Sequence, residues 1–227
     1  MNAPWADELA AGAQALGLAL TQEQTARLLA YLNLLAQWNK VYNLTAVRNP
    51  AEMLTHHLLD SLAAIAPLRR HTQGQPVRLL DVGSGGGLPG AVIAICCPEI
   101  AVTCIDAVAK KTAFIQQAAG TLGLPNLHSL HGRVETLRDA FDIIASRAFA
   151  TLADFTGWSK GALAAGGVWM AMKGKHPIHE IAALPPAVEV FHVEQLAVPG
   201  LNAERCLIWM NLRRTAAAWH IGTPNAG

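Results

Sequence analysis

Residues 79–90 read LLDVGSGGGLPG, and five of the last eight are glycine. Glycine belongs where the backbone needs a positive φ, or where another group must come close. An apolar run precedes the glycines, so the segment reads as a strand ending in a tight loop. A strand, a glycine loop and a helix in that order belong to open α/β folds, which bind ligands at their strand ends. Three contents are open for such a loop: a dinucleotide phosphate, a nucleoside without phosphate, or nothing.

The rest of the chain has the same rhythm. Residues 1–70 read as helices. Thr21 can cap a helix running to about Lys40, with Leu28, Leu29, Leu32, Leu35, Ala36 and Trp38 on its apolar face. Asn49-Pro50-Ala51-Glu52 resembles a capping box with proline at the first helical position. The helix it opens carries Met53, Leu54, Leu58, Leu62 and Ile65. HTQGQP, residues 71–76, is a turn-rich linker. From residue 77 strands and helices alternate. VRLLDV, AVTCID, LHSLHG, FDIIAS and GGVWMAMK are the strands, with helices near 88–97 and through KKTAFIQQAAGTLG. Alternation of this kind predicts a mostly parallel sheet with helices on both faces. VEVFHVEQLAV and ERCLIWMNL are joined by PGLNA, too short for a helical crossover, and predict an antiparallel hairpin at the sheet edge. The expected division is a helical region over 1–70, an α/β domain over 71–215 and a flexible tail over 216–227.

Register narrows what the glycine loop can hold. Gly85 to Gly90 satisfies G-x-G-x-x-G, a weak match in so glycine-rich a run. In a dinucleotide fold the first glycine directly follows the strand. Here that glycine is Gly83, and the sixth position is then Leu88, which is not small. Asp81 to Gly87 forms D-x-G-x-G-x-G, like the first motif of Rossmann-like S-adenosylmethionine methyltransferases. No G-x-x-x-x-G-K-[ST] is present, which excludes a P-loop. Asp106 ends the second strand, 23 residues beyond Gly83. A carboxylate there can accept both ribose hydroxyls of a nucleoside, a spacing that suits NAD and S-adenosylmethionine alike. The bland alternative is a strand-end aspartate capping the next helix.

Composition limits the other classes. Hydrophobic residues make up 52% of the 227 residues and charged residues 15%, enough for a substantial core and too apolar for disorder. The start, MNAPWADELA, lacks a basic stretch followed by an apolar run, and no apolar run reaches the roughly 20 residues that span a membrane. A cytoplasmic protein with no membrane partner is expected. Cys96, Cys97, Cys104 and Cys206 match no metal-ligand spacing and read as core thiols. His56, His57 and Asp60 provide too few ligands for a metal site, so no metal is expected. A net charge of +1 neither demands nor excludes nucleic acid.

LLDVGSGGGLPG, CIDAVAKK, HGRVE and SRAFA follow one another at successive strand ends, with WNKVYNLTAV and HHLLDSL upstream. In these six motifs, over roughly residues 30–212, the chain resembles the bacterial guanine-N7 methyltransferases of 16S ribosomal RNA. That family is also called glucose-inhibited division protein B. The resemblance implies a Rossmann-like class I fold that uses S-adenosyl-L-methionine, preceded by a small helical region. It implies a guanine in the decoding region of 16S rRNA or the small ribosomal subunit as substrate, and a monomer. By motif, Gly83, Gly85 and Leu88 would contact the cofactor, Asp106 its ribose, and Val134 and Glu135 its adenine. Arg147 of SRAFA would lie beside the methionine end and the target pocket, as both a cofactor-binding and a catalytic residue. His57 and Asp60 would join the helical region to the catalytic domain, and Asn39 and Asn43 would anchor it or touch RNA. Ala107 and Lys111 depart mildly from the family, where serine and arginine are common.

Guanine N7 carries a lone pair and no proton, so its methylation needs positioning and electrostatics, not a general base. The chain agrees: SRAFA stands at the fourth strand end, where enzymes acting on exocyclic amines carry Asn/Asp-Pro-Pro-Tyr. Phe149 can stack on the target base or belong to the core. Lys110, Lys111, Arg147, Lys173 and Lys175 gather at loops on the ligand side, and Lys40, Asn43, Arg48 and His57 can join them in binding RNA. The readings still open are a methyltransferase acting on a small molecule or a protein, an NAD-dependent oxidoreductase, and a ribosome-assembly factor with a vestigial pocket.

Overall fold

The structure is a computed structural model that describes residues 3–47 and 49–213. Arg48 and the expected tail over 216–227 lie outside the described residues.

The helical region begins with α1 (Ala3–Ala15) and α2 (Gln22–Tyr42). Thr21 caps α2 as its spacing predicts: its hydroxyl accepts from the Gln24 N–H at 3.1 Å, and the Gln24 side chain accepts from the Thr21 N–H at 3.0 Å. Two otherwise orphaned helix-end donors are satisfied reciprocally. Leu28, Leu29, Leu32 and Leu35 are buried along one face, together with Tyr31. α2 ends at Tyr42, two residues past Lys40, and Asn43 caps it in the left-handed conformation. A helix starts at Pro50, as the proline predicts, but it is not regular. α3 (Pro50–Met53) passes into a π-helical turn over Leu54–Leu59 before α4 (Asp60–Leu62). The wider turn leaves both His57 and Asp60 buried. α5 (Ile65–Thr72) continues across residues 70 and 71, where the helical region was expected to end.

The alternating part forms β1 (Arg78–Val82), α6 (Gly90–Cys96), β2 (Ala101–Asp106), α7 (Ala109–Leu122), β3 (Leu127–His131) and β4 (Phe141–Arg147). It continues with α8 (Leu152–Ser159), β5 (Leu163–Lys173), the short α9 (Ile178–Ala182), β6 (Val188–Leu196) and β7 (Arg205–Leu212). The seven strands lie in the order β3-β2-β1-β4-β5-β7-β6. β1 to β5 pair in parallel, and β7 inserts antiparallel between β5 and β6. The expected hairpin is therefore present, with β6 as the edge.

Two apolar layers cover the sheet. One joins Leu9, Leu28, Leu32, Leu58 and Leu62 of the helical region to Leu79, Val92, Phe114 and Trp209. The other packs Leu80, Ile144, Leu152, Phe155 and Trp169 on the opposite face. Each such leucine contributes roughly 2 kcal/mol by leaving water. The helical region is thus held to the sheet by shared core, not by a linker alone. All four cysteines are buried and unpaired. Strand order reverses between β1 and β4, and a crevice at that reversal is where open sheets bind ligands.

Candidate cofactor cleft and the pocket beside it

β1 delivers the glycine loop to the reversal point. Gly83 has φ +64°, and a Cβ there would lie 2.1 Å from Cδ2 of Phe149. No other residue type meets both demands. The N–H groups of Gly83 and Ser84 donate to the Ile105 carbonyl at 2.9 and 3.2 Å, which pins the loop to β2. From the helical side, the buried Tyr31 hydroxyl donates to the Gly86 carbonyl at 2.5 Å. Residues 55 positions apart thereby share the loop.

Asp81 anchors the loop's far end. Its Oδ2 accepts from the Gly90 N–H at 2.9 Å, while its Oδ1 is buried without a hydrogen-bond partner. Burial pushes the Asp81 carboxyl up to about 7, against the lowering pull of that hydrogen bond. The sign follows directly. The folded chain holds this proton above pH 4, where the unfolded chain has released it. The stability gained from the neutral carboxyl is complete below about pH 4 and lost as pH rises to about 7. We expect Asp81→Asn to remove this slope, gaining on the unaltered protein by up to about 1.4 kcal/mol per pH unit across that window. Urea unfolding of both proteins from pH 4 to 8 measures it, and parallel curves would refute it. The comparison cancels His57, whose imidazole is pressed down to about 4 by burial first and by the Arg147 charge second.

A cleft of about 400 Å³ opens at these strand ends. Gly83, Asp106, Val134, Glu135, Phe149 and Trp158 line it. Asp106 is 7% exposed. Its Oδ2 accepts from the Gly85 N–H at 3.0 Å and from Lys111 at 3.5 Å, and its Oδ1 from the Val108 N–H at 2.9 Å. A carboxylate has about four acceptor positions, so capacity for a ribose hydroxyl remains and the long Lys111 contact is easily exchanged. Volume, glycine-lined wall and strand-end carboxylate fit a nucleoside with a short tail.

A second pocket, about 370 Å³, shares Ala148 with the first. His56, His57, Asp60, Arg147, Lys173 and Arg205 line it. Ala148 has φ +51°, costly for a residue with a Cβ. At this turn the chain sends Arg147 into the second pocket and Phe149 into the first. Arg147 Nη1 donates to the His56 carbonyl at 3.0 Å and to Asp60 Oδ2 at 2.8 Å. Arg205 Nε donates to Asp60 Oδ1 at 2.8 Å. Lys173 donates to the Ala150 carbonyl at 2.7 Å and to Glu180 at 2.8 Å.

The expected residues therefore divide between two cavities. Gly83, Asp106, Val134 and Glu135 meet in the first, and Gly85 joins them through its bond to Asp106. Leu88 is 5% exposed and belongs to the apolar cluster instead of the cleft wall. Arg147, His57 and Lys173 meet in the second pocket, while Phe149, the candidate for stacking on the base, stands in the first. Phe149 packs edge-on against Phe155 and Trp158. Lys40 and Asn43 line neither cavity. Trp158 and Arg205 were not singled out from the sequence. A tryptophan ending an amphipathic helix and an arginine opening an edge hairpin carry no motif.

Among the described residues, no helix is long and apolar enough to cross a membrane, and no group of three or more His, Cys, Asp or Glu side chains can hold a metal. The fold is that of the Rossmann-like methyltransferases, and S-adenosyl-L-methionine is the cofactor. A solved ribosomal protein L11 methylase from Lactobacillus delbrueckii subsp. bulgaricus superposes with a TM-score of 0.54, at 13% identity, over 68% of this chain and 79% of that one. TrmN from Thermus thermophilus gives 0.53 at 19% identity, over 70% of this chain and 53% of that one. Within that class, the chain belongs to the rRNA small subunit methyltransferase G (GidB) family, whose profile matches residues 24–208. It is 66% identical over 217 residues to the ribosomal RNA small subunit methyltransferase G of Acidovorax sp. (strain JS42), covering 92% of this chain and 96% of that protein. The protein of the same name from Polaromonas sp. (strain JS666 / ATCC BAA-500) is 66% identical over 214 residues, covering 92% and 95%.

Proposed function

We propose that the chain methylates guanine N7 in the decoding region of 16S rRNA, using S-adenosylmethionine, as a cytoplasmic monomer. The observation that carries this reading is a cleft with a glycine wall and a strand-end carboxylate, opening beside a cationic pocket in a chain of the methyltransferase G family.

When bound, S-adenosylmethionine supplies an electrophilic methyl group on a sulfonium. Guanine N7 would accept that methyl group with its own lone pair, and the electrons of the former sulfur–carbon bond would remain with the leaving thioether. The positive charge passes to the guanine ring, and no proton moves. The chain's residues therefore bind, orient and exclude water. Asp106 holds a ribose, Gly83 and Gly85 let the tail lie against backbone, and Val134 and Glu135 border the base. Arg147 stands at the boundary with the second pocket. His57, held neutral by burial, has no base catalysis to perform.

The test is to incubate the purified protein with methyl-labelled cofactor and 16S rRNA from an undermodified strain. Label in a single 7-methylguanosine of the decoding region is expected. Label on free metabolites or protein, with none on RNA or subunits, would select the methyltransferase of small molecules or proteins instead.

A further inference from the structure

The second pocket has a charge pattern that the methyl transfer itself does not require. Arg147, Lys173 and Arg205 bring three positive charges to it, and the carboxylates that hold them are Asp60 and Glu180. One carboxylate serves both arginines, with an oxygen for each at 2.8 Å. One positive charge is left over in a wall where these cationic side chains are 17–23% exposed. His57 adds none, being neutral at physiological pH.

The hydrogen bonds are also one-sided. A guanidinium has five N–H donors in a fixed fork. Arg147 directs Nη1 to Asp60, Ser61 and the His56 carbonyl, and its Nε and Nη2 have no partner among the described residues. Arg205 directs Nε to Asp60 and Nη1 to the Glu204 carbonyl, and its Nη2 has none. Two forks are thus held at fixed angles by Asp60, with donors to spare toward a cavity of about 370 Å³.

We propose that this pocket seats a backbone phosphate of the RNA strand beside the target guanine, gripped by Arg147 and Arg205, with Asp60 as the positioning residue that aims both forks. The proposal rests on the rRNA reading above. Guanine itself suits the pocket poorly. Donors aimed at its O6/N7 edge would compete with the methyl group for the N7 lone pair. The methylated ring is a cation, and a net-positive wall would repel the product. A phosphate stays anionic throughout, and arginine forks match its oxygens in pairs. Ala148 belongs to both cavities, so a phosphate in the second places its nucleotide at the edge of the first.

The test compares the unaltered protein with Arg205→Gln and Lys173→Gln. The probes are 16S rRNA from an undermodified strain and inorganic phosphate. RNA retention on filters is measured across salt concentrations, and S-adenosylmethionine affinity by calorimetry serves as the control for folding. We expect Arg205→Gln to weaken RNA binding about ten-fold and to lower the slope of log affinity against log salt by about 0.7–0.9. Cofactor affinity should stay within about two-fold. Lys173→Gln should shift the slope in the same direction. Inorganic phosphate at constant ionic strength should compete with RNA in the unaltered protein and lose that effect in Arg205→Gln. Unchanged slopes in both variants would overturn the proposal. So would altered base preference at an unchanged slope, which marks a base pocket. Phosphate competition without any change in RNA affinity would also overturn it, since the site would then take free anions alone. Because the slope is read from binding, it decides the phosphate site even if no methyl group is transferred. Failure of transfer by the unaltered protein would instead remove the proposed activity.

Discussion

Asp106→Ala should weaken S-adenosylmethionine binding by about 10²–10³-fold and leave the chain folded. A hydrogen bond to a charged acceptor contributes roughly 1.5–3 kcal/mol, so two ribose hydroxyls on one carboxylate, each at the lower end at about 1.5–2 kcal/mol, account for this range. The carboxylate also receives the Gly85 and Val108 N–H groups at 3.0 and 2.9 Å. Their loss should cost about 1–2 kcal/mol of stability, within the roughly 5–15 kcal/mol of a typical domain. Asp106→Asn keeps an acceptor but not the charge, and should fall between the two. Calorimetric titration with S-adenosylmethionine, beside a thermal melt, separates binding from folding. Cofactor affinity unchanged in Asp106→Ala would show that the ribose is held elsewhere.

The second large effect is on stability. Asp60→Ala leaves Arg147 and Arg205 without the carboxylate that each meets at 2.8 Å. Removing one partner of a buried ion pair typically costs about 3–5 kcal/mol. Here the arginine side chains keep 17% and 23% exposure, so the lower end applies, on the order of 3 kcal/mol. For a chain of this size that lowers the melting temperature by roughly 10 °C. Adding Arg205→Gln to Asp60→Ala should recover part of the loss, since one unmatched charge is then gone. Chemical denaturation of the single and double variants measures the coupling. A loss below about 0.5 kcal/mol for Asp60→Ala would place these groups among surface pairs that contribute little.

Much of the glycine-walled cleft was readable from spacing. The strand ending at Val82 and Asp106 at the end of β2 lie at the same edge because parallel strands bring their C-terminal ends together. Local order along the chain therefore sufficed to assemble Gly83, Asp106, Val134 and Glu135. Leu88 shows where this stops. Spacing told that it is not a small residue, but its side chain turns into the apolar cluster with Ala91 and Ile115.

The second pocket was only half legible. Arg147, His57 and Lys173 line it while Lys40, Asn43 and Phe149 do not, and Asp60 meets Arg147 across 87 positions and Arg205 across 145. No local pattern encodes partners that far apart. They are chosen when the helical region docks on the sheet through the shared apolar layer. The π-turn at Leu54–Leu59 is similarly hidden, since LTHHLL has the composition of an ordinary helix.

What the amino-acid sequence determined by itself was the alternation of elements, the register of the glycine loop and the carboxylate one strand on. These are short-range quantities, set by side-chain periodicity and by the φ values that glycine alone adopts easily. The tertiary structure decided that Tyr31 reaches the Gly86 carbonyl and that Ala148 divides Arg147 from Phe149. It also decided that one aspartate of the helical region orients two arginines that lie 87 and 145 positions further along the chain. Those contacts arise from packing two surfaces whose fit depends on every side chain between them, which spacing along the chain does not record.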